Sequence, residues 1–132
     1  MNPALEGKVY PAVPFEVEED AVRRFARAVG DDRPGVPTTF VTVPEIEAGW
    51  LPVVADPDLA LDFARVVHAE QEFRFERPLR VGDRLEVRAT IESIRTKGGH
   101  GFLTVRTDLR ESDGGAPVAF ARSTLLVRGE DA

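Results

Sequence analysis

The spacing of apolar and polar residues divides the chain into a helical first half and a strand-rich second half. From Val66 onward, segments that alternate at every second residue are separated by turns rich in proline or glycine. This pattern is typical of antiparallel strands with one buried face. It predicts three consecutive hairpins, with a bulge near Ser93 where the period slips. The predicted strands are 66–76, 84–95, 102–111 and 118–128.

The first of these strands carries two polar residues of interest. Strict alternation turns one set of side chains inward: Val67, Ala69, Gln71, Phe73 and Phe75. A buried glutamine needs hydrogen-bond partners, so Gln71 is expected to meet a polar group inside the protein or across an interface. The same alternation places His68 on the polar side of the strand, as a surface or interface residue. The second histidine, His100, lies between glycines and is interpreted as a loop residue.

In the first half, helical spacing predicts two helices. Residues 15–17 form a short strand, and residues 18–29 form a helix that ends at Gly30. A second helix over 39–50 is capped by Thr38 or Thr39 and is mostly buried. Residues 51–62 are interpreted as a loop. One face of the second helix carries Phe40, Val43, Ile46, Glu47 and Trp50.

These elements predict an α+β fold. The apolar faces of the strands need a common cover, and the segment 39–50 is the one helix hydrophobic enough to supply it. We therefore expect a curved antiparallel sheet wrapped around a central helix. The length of 132 residues suits a single domain, with a core over about 14–128.

Composition narrows the range of partners. The chain has 23 acidic and 17 basic residues, and this acidic balance argues against nucleic acid or an anionic membrane as partner. The absence of cysteine excludes disulfides and thiolate metal sites. Two isolated histidines without a carboxylate cluster predict no metal or cofactor. The chain also lacks an export signal and an apolar run of the ~20 residues that span a bilayer, so a cytoplasmic protein is expected.

The segment "GDDRPGV", residues 30–36, places two carboxylates on a tight loop between apolar segments. Asp31 and Asp32 are common turn residues because their side chains hydrogen-bond nearby backbone groups. Catalysis by Asp31 would require a strongly shifted pKa, and the sequence offers no partner that produces one. The residues therefore favour a turn at this position.

Three segments carry a resemblance to a known family: "FARAVGDDRP", "PTTF" and "HAEQEFRFERPLRVGDRLEVRATIESI". Together with the strands that follow, they cover most of residues 14–128. They resemble the MaoC-like hydratases and dehydratases, in particular the N-terminal, FAS1-like dehydratase branch. That branch includes the non-catalytic subunit of the mycobacterial hydroxyacyl dehydratases. The resemblance implies a single hotdog fold and a substrate that is an acyl thioester of coenzyme A or acyl carrier protein.

The catalytic loop of that family has the form G-D-x-N-P-x-H, and this chain matches it in part. Gly30, Asp31 and Pro34 agree with the signature. Arg33 stands in place of the asparagine and Val36 in place of the histidine, and the loop is short. Since valine cannot transfer a proton, the resemblance implies an acyl-binding subunit of an enoyl-thioester hydratase or dehydratase. A second hotdog subunit would carry the intact signature.

The same resemblance suggests residues that contact substrate. Thr38, Thr39 and Phe40 open the central helix, whose N-terminus would hold the thioester oxygen. His68 and Gln71 would line the acyl site. Three alternatives remain open: a homodimeric enoyl-CoA hydratase using Asp31 with His68, a thioesterase using a carboxylate such as Glu47, and a stand-alone acyl-thioester binding module.

Overall fold

A five-stranded antiparallel sheet curves around one central helix in the computed structural model, which describes residues 1–113 and 115–129. This confirms the predicted α+β class. Along the sheet the strands follow the order β1-β3-β4-β5-β2. Their bounds are Val13–Glu16 (β1), Val66–Phe75 (β2), Arg84–Lys97 (β3), His100–Glu111 (β4) and Pro117–Val127 (β5).

The first helix, α1, spans Glu19–Val29, close to the predicted range. Acidic residues in its first turn complement the helix dipole, and Gly30 ends it in the left-handed conformation with φ 72°. Its Phe25 ring meets Phe40 edge-on at a centroid distance of 5.5 Å. This contact fixes α1 against the start of the central helix.

The central helix, α2, covers residues 38–54 and is longer than the predicted 39–50. It consists of a 3₁₀ turn (Thr38–Val41), an α-helical turn (Thr42–Pro44), a π-helical stretch (Glu45–Trp50) and a final α-helical turn (Leu51–Val54). Pro44 and Pro52 have no backbone N–H to donate, and they bracket the π-helical stretch. Within the described residues, no helix has both the length and the apolar character needed to cross a membrane.

The wider π-helical turn changes which side chains face the sheet. Glu45, Ala48 and Gly49 are buried, whereas Ile46 and Glu47 are exposed, so Ile46 and Glu47 do not share a face with the buried Phe40 and Trp50 as predicted. Gly49 lies directly on β4. A Cβ atom at this position would lie 2.6 Å from the side-chain oxygen of Thr107. A residue without a side chain is therefore required where helix and sheet approach most closely.

The prediction that the first long strand forms a hairpin with the second is wrong. β2 pairs with β5 at the far edge of the sheet, and residues 76–83 carry the chain across to β3. Arg77 holds this crossover, because its guanidinium group lies 2.9 Å from Asp83 and 3.0 Å from Glu111. The β3–β4 and β4–β5 hairpins and the bulge before Ser93 are confirmed.

The two edges of the sheet differ. On one side, β3 is lined by the short edge strand β1 and by the N-terminal segment, where Gly7 donates a backbone hydrogen bond to Ile91 and Tyr10 donates one to Ala89. The carboxylate of Glu6 accepts a further bond from the backbone of Ile94. No strand of the described residues pairs with the outer side of β2, so the sheet is open at this edge.

Asp56, in the loop after α2, anchors the N-terminal segment. Its carboxylate accepts hydrogen bonds from Lys8 at 2.6 Å and from the Tyr10 hydroxyl at 2.7 Å. The bonds from Lys8 and Tyr10 lower the pKa of Asp56 to about 2. Burial, together with the neighbouring Asp56 carboxylate, raises the pKa of Tyr10. The charged form of Asp56 is thus tied to the folded state.

We predict that Asp56→Asn destabilises the protein at neutral pH and that this effect fades in acid. The carboxyl has a pKa of 3.8 when unperturbed and about 2 in the folded protein. Its contribution is therefore complete above about pH 4 and disappears as the pH falls towards 2. Urea unfolding of both proteins between pH 2 and 7 measures the gap. Asp58→Asn, at a neighbouring exposed carboxylate, is the control, and a gap that stays constant with pH would contradict the assignment.

Candidate functional site

Asp31, in the loop between α1 and α2, forms an ion pair with Arg33 of the same loop. Its carboxylate accepts hydrogen bonds from the backbone N–H and from two guanidinium nitrogens of Arg33, each at 3.0 Å. These bonds hold the pKa of Asp31 below its usual value. A carboxylate stabilised in this way is a poor proton acceptor. Arg33, which stands in place of the signature asparagine in the resemblance, thus favours the charged form of Asp31.

Val36 lies where two clefts meet at the N-terminal end of α2. Its side chain is partly buried and packs on the core. One cleft, of about 180 Å³, runs along the loop from Asp31 to Thr38. The other, of about 310 Å³, lies between this loop and the end of β2, with Phe75 and Leu79 in its lining. A hydrocarbon side chain therefore occupies the place that the family signature gives to a histidine.

The three residues that open α2 differ in their surroundings. Thr38 and Thr39 are exposed, and neither side chain caps the helix, since Pro37 holds the N-cap position. Their predicted capping role is therefore wrong. Thr38 lines both clefts. Phe40 is completely buried and contacts Phe25, so it supports the site from within the core.

His68 is exposed, as predicted for a surface residue, but its ring lies against the central helix and not on the side of the strand that alternation predicts. A bulge at Ala69 inserts an extra residue into β2, so His68 pairs with the buried Leu125 and lies on the inner face. Its ring meets Trp50 edge-on at a centroid distance of 5.2 Å. Trp50 lies 12 residues along α2 from Thr38, about 18 Å at ordinary helical rise. Asp31 and His68 are therefore at opposite ends of the helix and share neither cleft.

Gln71 belongs to a buried polar cluster with Glu45 and Ser123. Its amide nitrogen donates to Glu45 at 3.0 Å, and the Ser123 hydroxyl lies 2.6 Å from both the Glu45 carboxyl and the Gln71 carbonyl oxygen. Glu45 is 1% exposed and has no cationic partner among the described residues. The cluster connects α2, β2 and β5. It is the internal polar partner expected for Gln71.

The hydrogens of this cluster can be counted. Ser123 has one hydroxyl proton but faces two oxygens at hydrogen-bond distance. If the Gln71 amide is rotated by half a turn, its nitrogen can donate to Ser123. The contact without a proton is then the one between Gln71 and Glu45. The cluster is thus a hydrogen-bonded polar unit that joins the central helix to two strands in the core.

Sequence reasoning named Glu47 as the carboxylate of the central helix, but the buried carboxylate is Glu45. The pattern of the strands nevertheless indicates that the helix carries a buried polar side chain. Alternation predicts inward positions for both Gln71 and Ser123, and two buried polar side chains on neighbouring strands need a polar group on the covering helix. Within the described residues, no group of three His, Asp or Glu side chains is arranged to hold a metal ion.

We predict that Glu45→Ala lowers the free energy of unfolding by about 1–3 kcal/mol, because two buried polar partners lose their hydrogen bonds. Glu45→Gln is expected to cost less, since its amide still bonds to the neighbours. The matched control is Glu47→Ala, at an exposed position of the same helix, which is expected to change stability by about 0.5 kcal/mol or less. Urea unfolding monitored by Trp50 fluorescence measures all three. Equal losses for the Glu45 and Glu47 variants would contradict a stabilising cluster.

Comparison with known proteins identifies the family. The FAS1-like dehydratase domain region matches residues 32–120. A UPF0336 protein of Clavibacter michiganensis is 37% identical over 150 residues, which cover 100% of this chain and 99% of the relative. The relative therefore has additional residues with no counterpart here.

Solved structures show the same fold. The HadBC complex of Mycobacterium tuberculosis, a (3R)-hydroxyacyl-ACP dehydratase, aligns with a TM-score of 0.76 and 27% identity over 92% of this chain and 96% of its own. A MaoC-like dehydratase aligns with a TM-score of 0.82 and 24% identity over 95% of this chain and 42% of its own. These matches confirm the predicted hotdog fold. The chain belongs to the FAS1-like dehydratase family of hotdog proteins, together with the UPF0336 proteins.

Proposed function

We propose that this chain is the non-catalytic, acyl-binding subunit of an (R)-specific enoyl-thioester hydratase or 3-hydroxyacyl-thioester dehydratase. One observation carries the proposal. In the loop that carries the family's catalytic signature, the Asp31 carboxylate is bound by Arg33, and Val36 occupies the position of the histidine. The loop retains its place at the start of the central helix and has lost its proton-transfer groups.

The chemistry explains why this loss matters. Hydration adds the oxygen of water to C3 of the enoyl group and a proton to C2. The reaction needs a base to take the proton of water and donors to stabilise the enolate oxygen. An ion-paired aspartate and a valine supply neither base nor acid. A partner subunit with the complete signature would provide both.

The open edge of β2 supports pairing with a second hotdog subunit. An unpaired edge strand tends to add another strand, and β2, with ten residues, offers a longer edge than β1, which has four. Large apolar side chains are exposed on β2, on the central helix and on the segment between them: Ile46, Leu51, Phe63 and Val67. A partner that extends the sheet at β2 would bury them.

The cleft between the loop and the end of β2 would be this chain's share of the acyl site. It measures about 310 Å³, near the lower limit for a small-molecule site, and most of its lining is apolar. Val36, Pro37 and Leu79 supply hydrocarbon surface, and Thr38 supplies a hydroxyl at the helix start. A second subunit on β2 would lie beside this cleft and enlarge it.

The alternative functions have less support. A homodimeric hydratase using Asp31 with His68 would draw on groups at opposite ends of the central helix, since Asp31 shares a cleft with Thr38 and His68 contacts Trp50. A thioesterase using Glu47 would act from an exposed side chain beyond both clefts at Val36. A stand-alone binding module would leave the β2 edge open in its working state.

We predict that the purified chain does not hydrate crotonyl-CoA above the uncatalysed rate, and that activity appears when a hotdog subunit with the intact G-D-x-N-P-x-H loop is added. Asp31→Asn in this chain is expected to leave the activity of the mixture unchanged. Substitution of the partner's histidine by alanine is expected to lower the rate by on the order of 100-fold or more. The measurement is the loss of enoyl absorbance with time.

His68→Ala is the companion variant in this chain. Robust hydration by this chain alone, abolished by Asp31→Ala or His68→Ala, would contradict the proposal and favour the homodimeric enzyme.

A further inference from the structure

A row of hydroxyl side chains crosses the outer face of the sheet, away from the central helix. Ser93 on β3 pairs with Thr104 on β4, which pairs with Thr124 on β5, which pairs with Glu70 on β2. The row therefore runs across four neighbouring strands and ends in a carboxylate at the open edge. Short side chains along its length leave a depression between taller neighbours.

Two β-bulges frame this row. The bulge in β3 lies immediately before Ser93, and the bulge in β2 lies immediately before Glu70. Bulges bend a strand and increase its local twist, and they occur frequently beside functional sites. Placed at both ends of one row, they coincide with a cleft of about 530 Å³ on the outer face. We call this cleft the outer trough.

One end of the outer trough is cationic, with Arg95 and Lys97 in its lining. Cationic side chains in the other clefts, namely Arg33, Arg77 and Arg84, are each ion-paired with a carboxylate. Within the described residues, neither Arg95 nor Lys97 has such a partner. The two cations are two residues apart on β3 and lie in the same cleft.

The side chains around these cations suit an anion. The Nε of Arg95 donates to the Ser93 hydroxyl at 3.1 Å, which orients the guanidinium group and leaves its two terminal nitrogens free. Phe102 lies directly across from Arg95 on β4 and offers an aromatic surface. Guanidinium, ammonium and hydroxyl groups, which recognise phosphate, thus line the same end of one cleft. Glu70, at the other end of the row, would repel an anion and thus confine it to the cationic end.

We propose that the outer trough binds a phosphate ester, with Arg95 and Lys97 holding the phosphoryl oxygens and Phe102 covering the adjoining part of the ligand. The inference that a phosphate ester binds depends on the outer trough alone. The identity of the molecule that contains the phosphate rests on the proposed function, because both carriers of acyl thioesters contain phosphate esters. Coenzyme A contains them in its nucleotide portion, and acyl carrier protein in its phosphopantetheine arm.

The test is a titration of the isotope-labelled full chain followed by two-dimensional NMR. The probes are coenzyme A, dephospho-coenzyme A, pantetheine, inorganic phosphate and an acyl carrier protein with or without its phosphopantetheine arm. Coenzyme A is expected to shift the amide signals of residues 93–97 and 102–104, and pantetheine, which has no phosphate, is expected to leave them unchanged. Dephospho-coenzyme A and the two carrier-protein forms show which phosphate is bound.

Arg95→Gln combined with Lys97→Gln is expected to weaken coenzyme A binding by about tenfold or more, as expected for loss of charged hydrogen bonds. Arg88→Gln, at an exposed cation of the same strand outside the outer trough, is the matched control and should bind normally. Rising salt should weaken binding by the native chain. Unchanged affinity in the double variant, or equal shifts with pantetheine, would overturn the proposal, as would no shift with any phosphate ester.

The outcomes separate the two proposals. The chain mixed with its catalytic partner could hydrate the substrate while no ligand shifts the signals of the outer trough. This result would overturn the proposed phosphate site and support the proposed function. Phosphate esters could shift the signals of the outer trough while the mixture of the two subunits shows no hydratase activity. This result would overturn the proposed function and support the phosphate site.

Discussion

The fold depends on burying the central helix against the concave face of the sheet. The π-helical stretch of α2 packs on β1, β3 and β4, and the approach is so close that a side chain at Gly49 would collide with Thr107. Trp50 and Val53 contribute to the same core as Ile91 and the inward residues of β4 and β5. Helix α1 adds Val22 to the neighbouring core cluster, beside Leu85 and Val87 of β3.

The same burial determines what the chain has available for chemistry. The N-terminal end of α2 emerges beside the loop 30–37, where Arg33 ties Asp31 and Val36 replaces a titratable group by hydrocarbon. Further along the helix, Glu45 is buried and bonded to Ser123. The carboxylates near the centre of the fold are thus engaged in structure. The surfaces that remain available are the apolar cleft, the outer trough and the edge of β2.

More of the fold than of the candidate site could be predicted from the sequence. Alternation located β3, β4 and β5 and the bulge at Ser93, because these strands have one buried face and a period that shows where it slips. It failed at His68, since a one-residue bulge in β2 reverses the facing of every side chain before it. The pairing of β2 with β5 is non-local, and neighbouring strands in sequence are the usual expectation.

Helical periodicity failed to predict the buried position of Glu45 for a different reason. Helical periodicity assumes 3.6 residues per turn, whereas the stretch between Pro44 and Pro52 adopts the wider π-helical turn. Glu45 is buried and Glu47 is exposed as a result. The replacement of the signature histidine by Val36, in contrast, was readable directly from the sequence. Its location beside the apolar cleft required the structure.

The central claim is that this chain works by adding a second hotdog subunit at β2. Hydrogen exchange, resolved for each amide in the chain alone and mixed with the catalytic partner, tests it most directly. The account predicts that the β2 amides not bonded to β5 exchange rapidly in the chain alone and slowly in the mixture, while amides of residues 7–16 at the opposite edge do not change. Protection of those β2 amides without a partner, or their continued rapid exchange in an active mixture, would contradict it.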